Sequence, residues 1–171
     1  EDRKFVVPSA PGKRFDEDTK VTDMLYACYA LAERDHSFNA EMAQIEKRYQ
    51  EIIDGLKIDL DLSTEFDKII DNFKKKEVPN YAASRGEYLN GIIMAKYLGY
   101  EFVDPVEAIR FNEAGVFDAE MTQKLLSKRL ENVERAVIPG FYGAMEDVKV
   151  VTLSRGGSDI TGSIVAKAIQ A

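Results

Sequence analysis

Near its C-terminus the chain carries Arg155-Gly156-Gly157-Ser158-Asp159, preceded by Thr152-Leu153-Ser154 and followed by Ile160-Thr161. The apolar run from Val148 to Leu153 predicts a strand. Ile160, Ile164, Val165, Ala168 and Ile169 fall at helical spacing and predict a helix over 158–169. The glycines therefore sit at a strand-to-helix turn, where they let the backbone bend sharply and approach a ligand. The first N–H groups of the helix have no partners and favour an anion. Arg155 adds a planar fork suited to bidentate carboxylate binding. Ordinary capping by Ser158 or Asp159, with Arg155 solvated, explains the same turn equally well. The turn has neither the Gly-Lys-Ser/Thr ending of a P-loop nor the glycine spacing of a dinucleotide fold.

Two further segments offer matching chemistry. Ser84-Arg85-Gly86-Glu87, inside Tyr81 to Leu89, falls where a helix is predicted to start. Glu87 there either complements the helix dipole or pairs with a substrate ammonium. Val6-Val7-Pro8-Ser9-Ala10 places a hydroxyl at the end of a strand, the edge at which ligands bind parallel α/β sheets. The loops at 9–22, at Phe141 and at 155–159 can thus converge on one crevice.

The elements that must position these residues alternate between strands and helices. Strands are predicted at Lys4–Val7, Tyr100–Val103, Ala108–Phe111, Ala136–Pro139 and Val148–Leu153, with Gly140-Phe141-Tyr142-Gly143 as a loop between the last two. Thr22 is expected to cap a helix with Met24, Leu25, Cys28 and Ala32 on one face. Helices follow over 38–56, from a Ser63 or Thr64 cap through Phe73, and over 81–98 with Leu89, Ile92, Ile93 and Tyr97 inward and Gly99 as the stop. Asp118 caps a helix running to Leu130, with Met121, Leu125 and Leu126 on its face. Strands interleaved with helices predict an α/β layered domain with a largely parallel sheet.

Composition bounds the partners. With 171 residues and 45% hydrophobic content, one core-bearing domain is the default. A net charge of -7 argues against attraction to nucleic acid or to an anionic membrane. No apolar run approaches the roughly 20 residues of a membrane helix. Lys74-Lys75-Lys76 reads as a solvated helix end, and the one cysteine, Cys28, as a small buried thiol suited to a reducing cytoplasm. His36, the sole histidine, lies in a polar stretch, which leaves a His-based metal cluster or a Ser-His-Asp triad hard to build.

At the level of motifs the chain resembles the aspartate kinases of the amino-acid kinase superfamily. Ser154-Arg155-Gly156-Gly157-Ser158-Asp159 is similar to their Gly-Arg-Gly-Gly-Ser-Asp signature, and Ser84-Arg85-Gly86-Glu87 to their Ser-x-Gly-Glu segment. Val7-Pro8-Ser9-Ala10 with Thr22-Asp23-Met24-Leu25, and Gly140-Phe141-Tyr142-Gly143, resemble two more family motifs, all in family order. The resemblance implies a three-layer αβα amino-acid-kinase-like (carbamate-kinase-like) fold with a helical insertion over 38–77. It also implies ATP- and Mg2+-dependent phosphorylation of the L-aspartate side-chain carboxylate, the first step toward lysine, threonine and methionine, in a cytoplasmic, allosteric homo-oligomer. By the same resemblance Arg155 grips a substrate carboxylate and Glu87 receives the substrate ammonium. Ser9, Thr22, Phe141 and Ser158 line the pocket, and Asp159 is the catalytic-site acid that positions a lysine. An aspartate carboxylate, with an ordinary pKa of about 3.9, is already ionised near neutrality, so alignment and cations rather than a general base are what the reaction needs.

The chain departs from the family at its start, where Lys4-Phe5 leads into Val6-Val7 instead of the glycines that follow the catalytic lysine. The nucleotide-binding half and the regulatory ACT domains are not found in it. The expectation is therefore a partial, incomplete kinase domain over 1–171 that binds aspartate and is inactive alone. The rivals are a related kinase acting on glutamate, acetylglutamate, carbamate or a nucleotide, and a non-enzymatic domain whose 38–73 helices form a contact surface.

Overall fold

A computed structural model describes residues 4–76, 79–153 and 157–171. Three short parallel strands form its sheet: β1 (Phe5–Val6), β2 (Glu101–Phe102) and β3 (Ala136–Val137), in the order β1-β3-β2. Phe5 and Glu101 both pair with Ala136, and Val6 and Phe102 with Val137, so the three strand ends lie level. This is the predicted α/β class.

Helices cover both faces. On one side lie α1 (Val21–Glu33), α2 (Asn39–Leu56), α3 (Ser63–Lys74) and α4 (Pro79–Leu98). Leu25, Cys28, Ile45, Tyr49, Phe66, Ile69, Phe73, Leu89 and Ile93 from these four helices share a single apolar cluster. The α2–α3 hairpin thus has no separate core. The Phe73 ring closes it, 5.8 Å from Tyr29 and 5.9 Å from Phe38. On the opposite side α5 (Ala119–Leu130) and α6 (Gly157–Ala168) pack Leu126, Leu130, Val165 and Ala168 against Ala136 and Ile138. Val137, between those two in an alternating strand, turns its buried side chain to the α4 face. Cys28 is buried, His36 is exposed, and Lys74 to Lys76 form an exposed helix end, each as expected.

Several local expectations give way to tertiary context. The stretch read as a Gly-bounded loop contains a strand, β4 (Tyr142–Ala144), which pairs antiparallel with β5 (Val150–Thr152). The protein therefore has a parallel sheet and a separate hairpin, and Ala108–Phe111 contributes only isolated bridges at Arg110 and Phe111. Thr22 is not the cap of α1, because Lys20 occupies that position in an extended conformation and Thr22 is already helical. Neither Ser63 nor Thr64 caps α3: Leu62 stands at the N-cap, and the Ser63 N–H and hydroxyl both donate to Asp61. Asp118 does cap α5, accepting the Met121 N–H at 2.9 Å. Gly99 ends α4 with a φ of +68°. Tyr97, in the last turn of α4 and expected inward, is instead 57% exposed, and Met121 and Ile160 also lie on the outside.

Candidate functional site

The level ends of β1 and β3 bring two loops against the start of α6. The Gly140 N–H donates to the Pro8 carbonyl at 3.0 Å, which zips the loop after β3 to the loop after β1. The Ser9 hydroxyl donates to Ser158 Oγ at 2.7 Å, and Asn90 Nδ2 holds the Ser9 carbonyl from α4 at 2.7 Å. A Cβ on Gly140 would stand 2.6 Å from Ser158 Oγ, so the approach of this loop to α6 depends on that glycine.

Phe141 is set by backbone strain and by two bonds. Its φ of 81° is unusual for a bulky residue. Its N–H donates to Thr161 Oγ1 at 3.1 Å, while its carbonyl accepts the Leu153 N–H at 2.7 Å. Gly157 allows the contact, since a Cβ there would meet the Phe141 ring at 2.7 Å. Ser9, Phe141 and Ser158, three residues far apart in sequence, are thus brought together at one sheet edge.

Glu87 enters from α4. It lies past the first two turns of a helix that begins at Pro79, so the dipole-complementing reading falls away. Pro79 at the first helical position extends α4 beyond the predicted start. Gly86 lets α4 approach the β1 loop, because a Cβ there would meet the Ala10 Cβ at 2.8 Å. Glu87 is 6% exposed and its Oε2 has no hydrogen-bond partner among the described residues. Burial pushes its carboxyl from an ordinary 4.5 up to about 7, opposed by its own and the Ala10 backbone N–H groups and by Arg85. An ammonium group is the complement such an oxygen lacks.

The remaining predicted residues are placed as follows. Thr22 is half-buried next to Val21, whose side chain packs on Gly86, and it adds no hydrogen bond to the cluster among the described residues. Asp159 is exposed in the first turn of α6, beside Ser158. Arg155 lies outside the described residues.

Sequence reasoning missed what supports the site from behind. The Arg85 guanidinium is buried among the rings of Tyr81, Tyr88 and Tyr142, 4.4, 4.4 and 5.2 Å from their centroids, and donates to Ser84 Oγ. Tyr142, next to Phe141, donates to Asp104 Oδ1 at 3.0 Å. Burial pushes the Asp104 carboxyl up, against the opposing charge of Arg85. Tyr81 and Tyr88 flank Arg85 at four- and three-residue steps, which was the available signal for the cage.

A separate concavity, about 980 Å³, opens between the start of α5 and the β4–β5 turn, lined by Arg110, Met121, Met145 and Lys149. It contains none of the predicted site residues. Among the described residues no three His, Cys, Asp or Glu side chains cluster to hold a metal, and no helix is long and apolar enough to cross a membrane.

No protein-family model matches the sequence. Aspartokinase 3 of Bacillus subtilis is 36% identical over 193 residues, an alignment covering 99% of this chain and 40% of that protein. Aspartokinase 2 of the same organism is 35% identical over 81 residues, covering 47% of this chain and 19% of that protein. The crystal structure of Clostridium acetobutylicum aspartate kinase superposes with a TM-score of 0.95 at 44% identity, over 99% of this chain and 39% of that one. Escherichia coli aspartokinase III, solved with aspartate and ADP, matches in fold with a TM-score of 0.75 at 21% identity, over 98% of this chain and 40% of that one. The chain spans about 40% of the length of the first of these relatives.

Proposed function

We propose that this aspartokinase homologue, matched over 99% of its length, forms the L-aspartate-binding part of an enzyme that phosphorylates the aspartate side-chain carboxylate with ATP. The observation that carries the reading is the Oε2 of Glu87, without a hydrogen-bond partner among the described residues and buried beside the β1 loop whose Ser9 meets Ser158. An amino-acid ammonium seated there replaces the water that the carboxylate lost on burial, and its charge draws Glu87 into the ionised form.

The other roles follow from position. Ser9, Ser158 and Phe141 form the pocket wall at the sheet edge, with Thr22 beside them on α1. Arg155 is assigned to a substrate carboxylate through the family motif it occupies. Asp159, exposed one residue beyond Ser158, is assigned to orienting the lysine that neutralises the transferring phosphoryl group. ATP brings the phosphoryl group, and Mg2+ would screen its charge. Among the described residues no cluster of three His, Cys, Asp or Glu side chains is placed to hold that ion. What these residues do is bind and align a carboxylate that is already a nucleophile. The reaction is placed in the cytoplasm, which suits Cys28, a buried thiol pushed up to about 12 by burial.

The test is hydroxamate trapping of the acyl phosphate by the full-length gene product with ATP and L-aspartate, L-glutamate or N-acetylglutamate. Turnover with aspartate at least about tenfold above the others is expected. A preference for glutamate or its acetyl derivative would overturn the assignment.

A further inference from the structure

We propose that Arg48, on α2 of the helical hairpin, is a positioning residue for this pocket: it clamps the 12–19 loop and thereby holds Ser9 and Ala10 against Glu87. The inference rests on the pocket reading above.

The loop between β1 and α1 has almost no apolar anchor. Residues 12–17 are exposed throughout, and Phe15, its one aromatic, is 57% exposed. Its conformation is held by charge instead. Arg48 is 4% exposed, which an arginine tolerates only when its donors are used. Its Nη1 donates to Asp18 Oδ2 at 2.6 Å and to the Thr19 carbonyl at 3.3 Å, and its Nη2 donates to the Gly12 carbonyl. One guanidinium therefore closes both ends of the loop onto α2. Just before Gly12 come Ser9 and Ala10, which touch Ser158, Asn90 and Gly86.

The next residue of α2 supports the other wall. Tyr49, fully buried, donates its hydroxyl to the Gly86 carbonyl at 2.8 Å, one residue before Glu87. Consecutive residues of α2 thus reach the loop and the helix between which Glu87 is enclosed. The hairpin is coupled to the pocket through these two polar contacts as well as through the shared core.

Arg14 also bonds Asp18, at 3.0 Å, and Glu51, at 3.1 Å, yet it is half exposed. Screening makes such exposed pairs weak, whereas Arg48 is buried and, besides Asp18, holds the Gly12 and Thr19 carbonyls at the two ends of the loop. Arg48 is thus the clamp and Arg14 an accessory.

Full-length enzyme carrying Arg48→Met, Arg48→Lys, Asp18→Asn, Arg14→Ala or Glu87→Gln is assayed for KM of aspartate, KM of ATP and kcat. Arg48→Met should raise the aspartate KM about tenfold or more, with the ATP KM within about twofold, since a misplaced loop affects one substrate. Arg48→Lys should recover part of that loss, and Arg14→Ala should change the aspartate KM less than about twofold. Arg48→Met combined with Asp18→Asn should do no more harm than the worse single change, as coupled partners do. If Arg48→Met does not fold, the near-isosteric Asp18→Asn and the charged Arg48→Lys still give the KM comparison. Equal rises in both KM values, or a lower kcat at unchanged aspartate KM, would overturn the clamp. If Glu87→Gln raises the aspartate KM and the Arg48 and Asp18 variants do not, the clamp alone is wrong. If Glu87→Gln has no effect, the pocket reading itself fails.

Discussion

A carboxylate two turns inside a helix, buried and lacking a partner for one oxygen among the described residues, is unfavourable for folding. Its cost has a definite pH dependence. The folded-state value of Glu87, about 7, lies above its ordinary 4.5, so the folded protein holds this proton where the unfolded chain has released it. The contribution to stability is therefore full below about pH 4.5 and is lost as pH rises through about 7. At about 1.4 kcal/mol per pKa unit, the loss is on the order of 3 kcal/mol. Glu87→Gln should accordingly gain stability relative to wild type between pH 5 and pH 8, by an amount of that order, in denaturant titrations. A gap between the two proteins that stays the same at both pH values would show that Glu87 is not held in this state. A residue that weakens the empty fold and that an ammonium would complement fits a binding group better than a structural one.

At the scale of elements, the pocket depends on how closely loops can approach helices, and two glycines in the same part of the fold make the point with opposite signs. Gly140→Ala sets a Cβ 2.7 Å from the Ser158 Cα, a backbone atom that cannot swing aside. It should destabilise the protein by about 1–3 kcal/mol and weaken aspartate binding with it. Gly162→Ala, inside α6 with nothing within 4 Å of its added Cβ, should instead stabilise by about 0.4–1 kcal/mol. Thermal melts of the two variants give the comparison, and like signs would contradict the close packing described. Element types were legible in the sequence wherever burial was periodic, as in α2 and α3. Asp118 and Gly99 also marked their helix ends correctly. The β4 strand was not legible, because Gly140 and Gly143 read as loop residues. Its strand character comes from pairing with β5 and from Gly143 lying flush against Ile109, neither of which is local. The placement of Glu87 at a helix start failed because α4 begins at Pro79, ahead of the periodic stretch.

For the molecule as a whole, the candidate site draws on segments around residues 9, 87, 141 and 158, whose nearness is a product of the fold. Their order along the chain was readable through family motifs, and that was enough to nominate Ser9, Glu87, Phe141 and Ser158. Arg48 and Arg85 were not nominated, since what marks them is burial against remote partners: Asp18 and Gly12 for the first, Tyr142 for the second. A solvated arginine and a clamping one look alike in sequence. The fold therefore adds a supporting layer behind the candidate pocket. The most direct test of the pocket is calorimetric titration of the full-length gene product, wild type and Glu87→Gln, with L-aspartate and with succinate, which lacks the ammonium. Wild type should bind aspartate at least about tenfold more tightly than succinate, and the substitution should remove most of that difference. Equal preference for aspartate in both proteins would contradict Glu87 as the group that receives the ammonium.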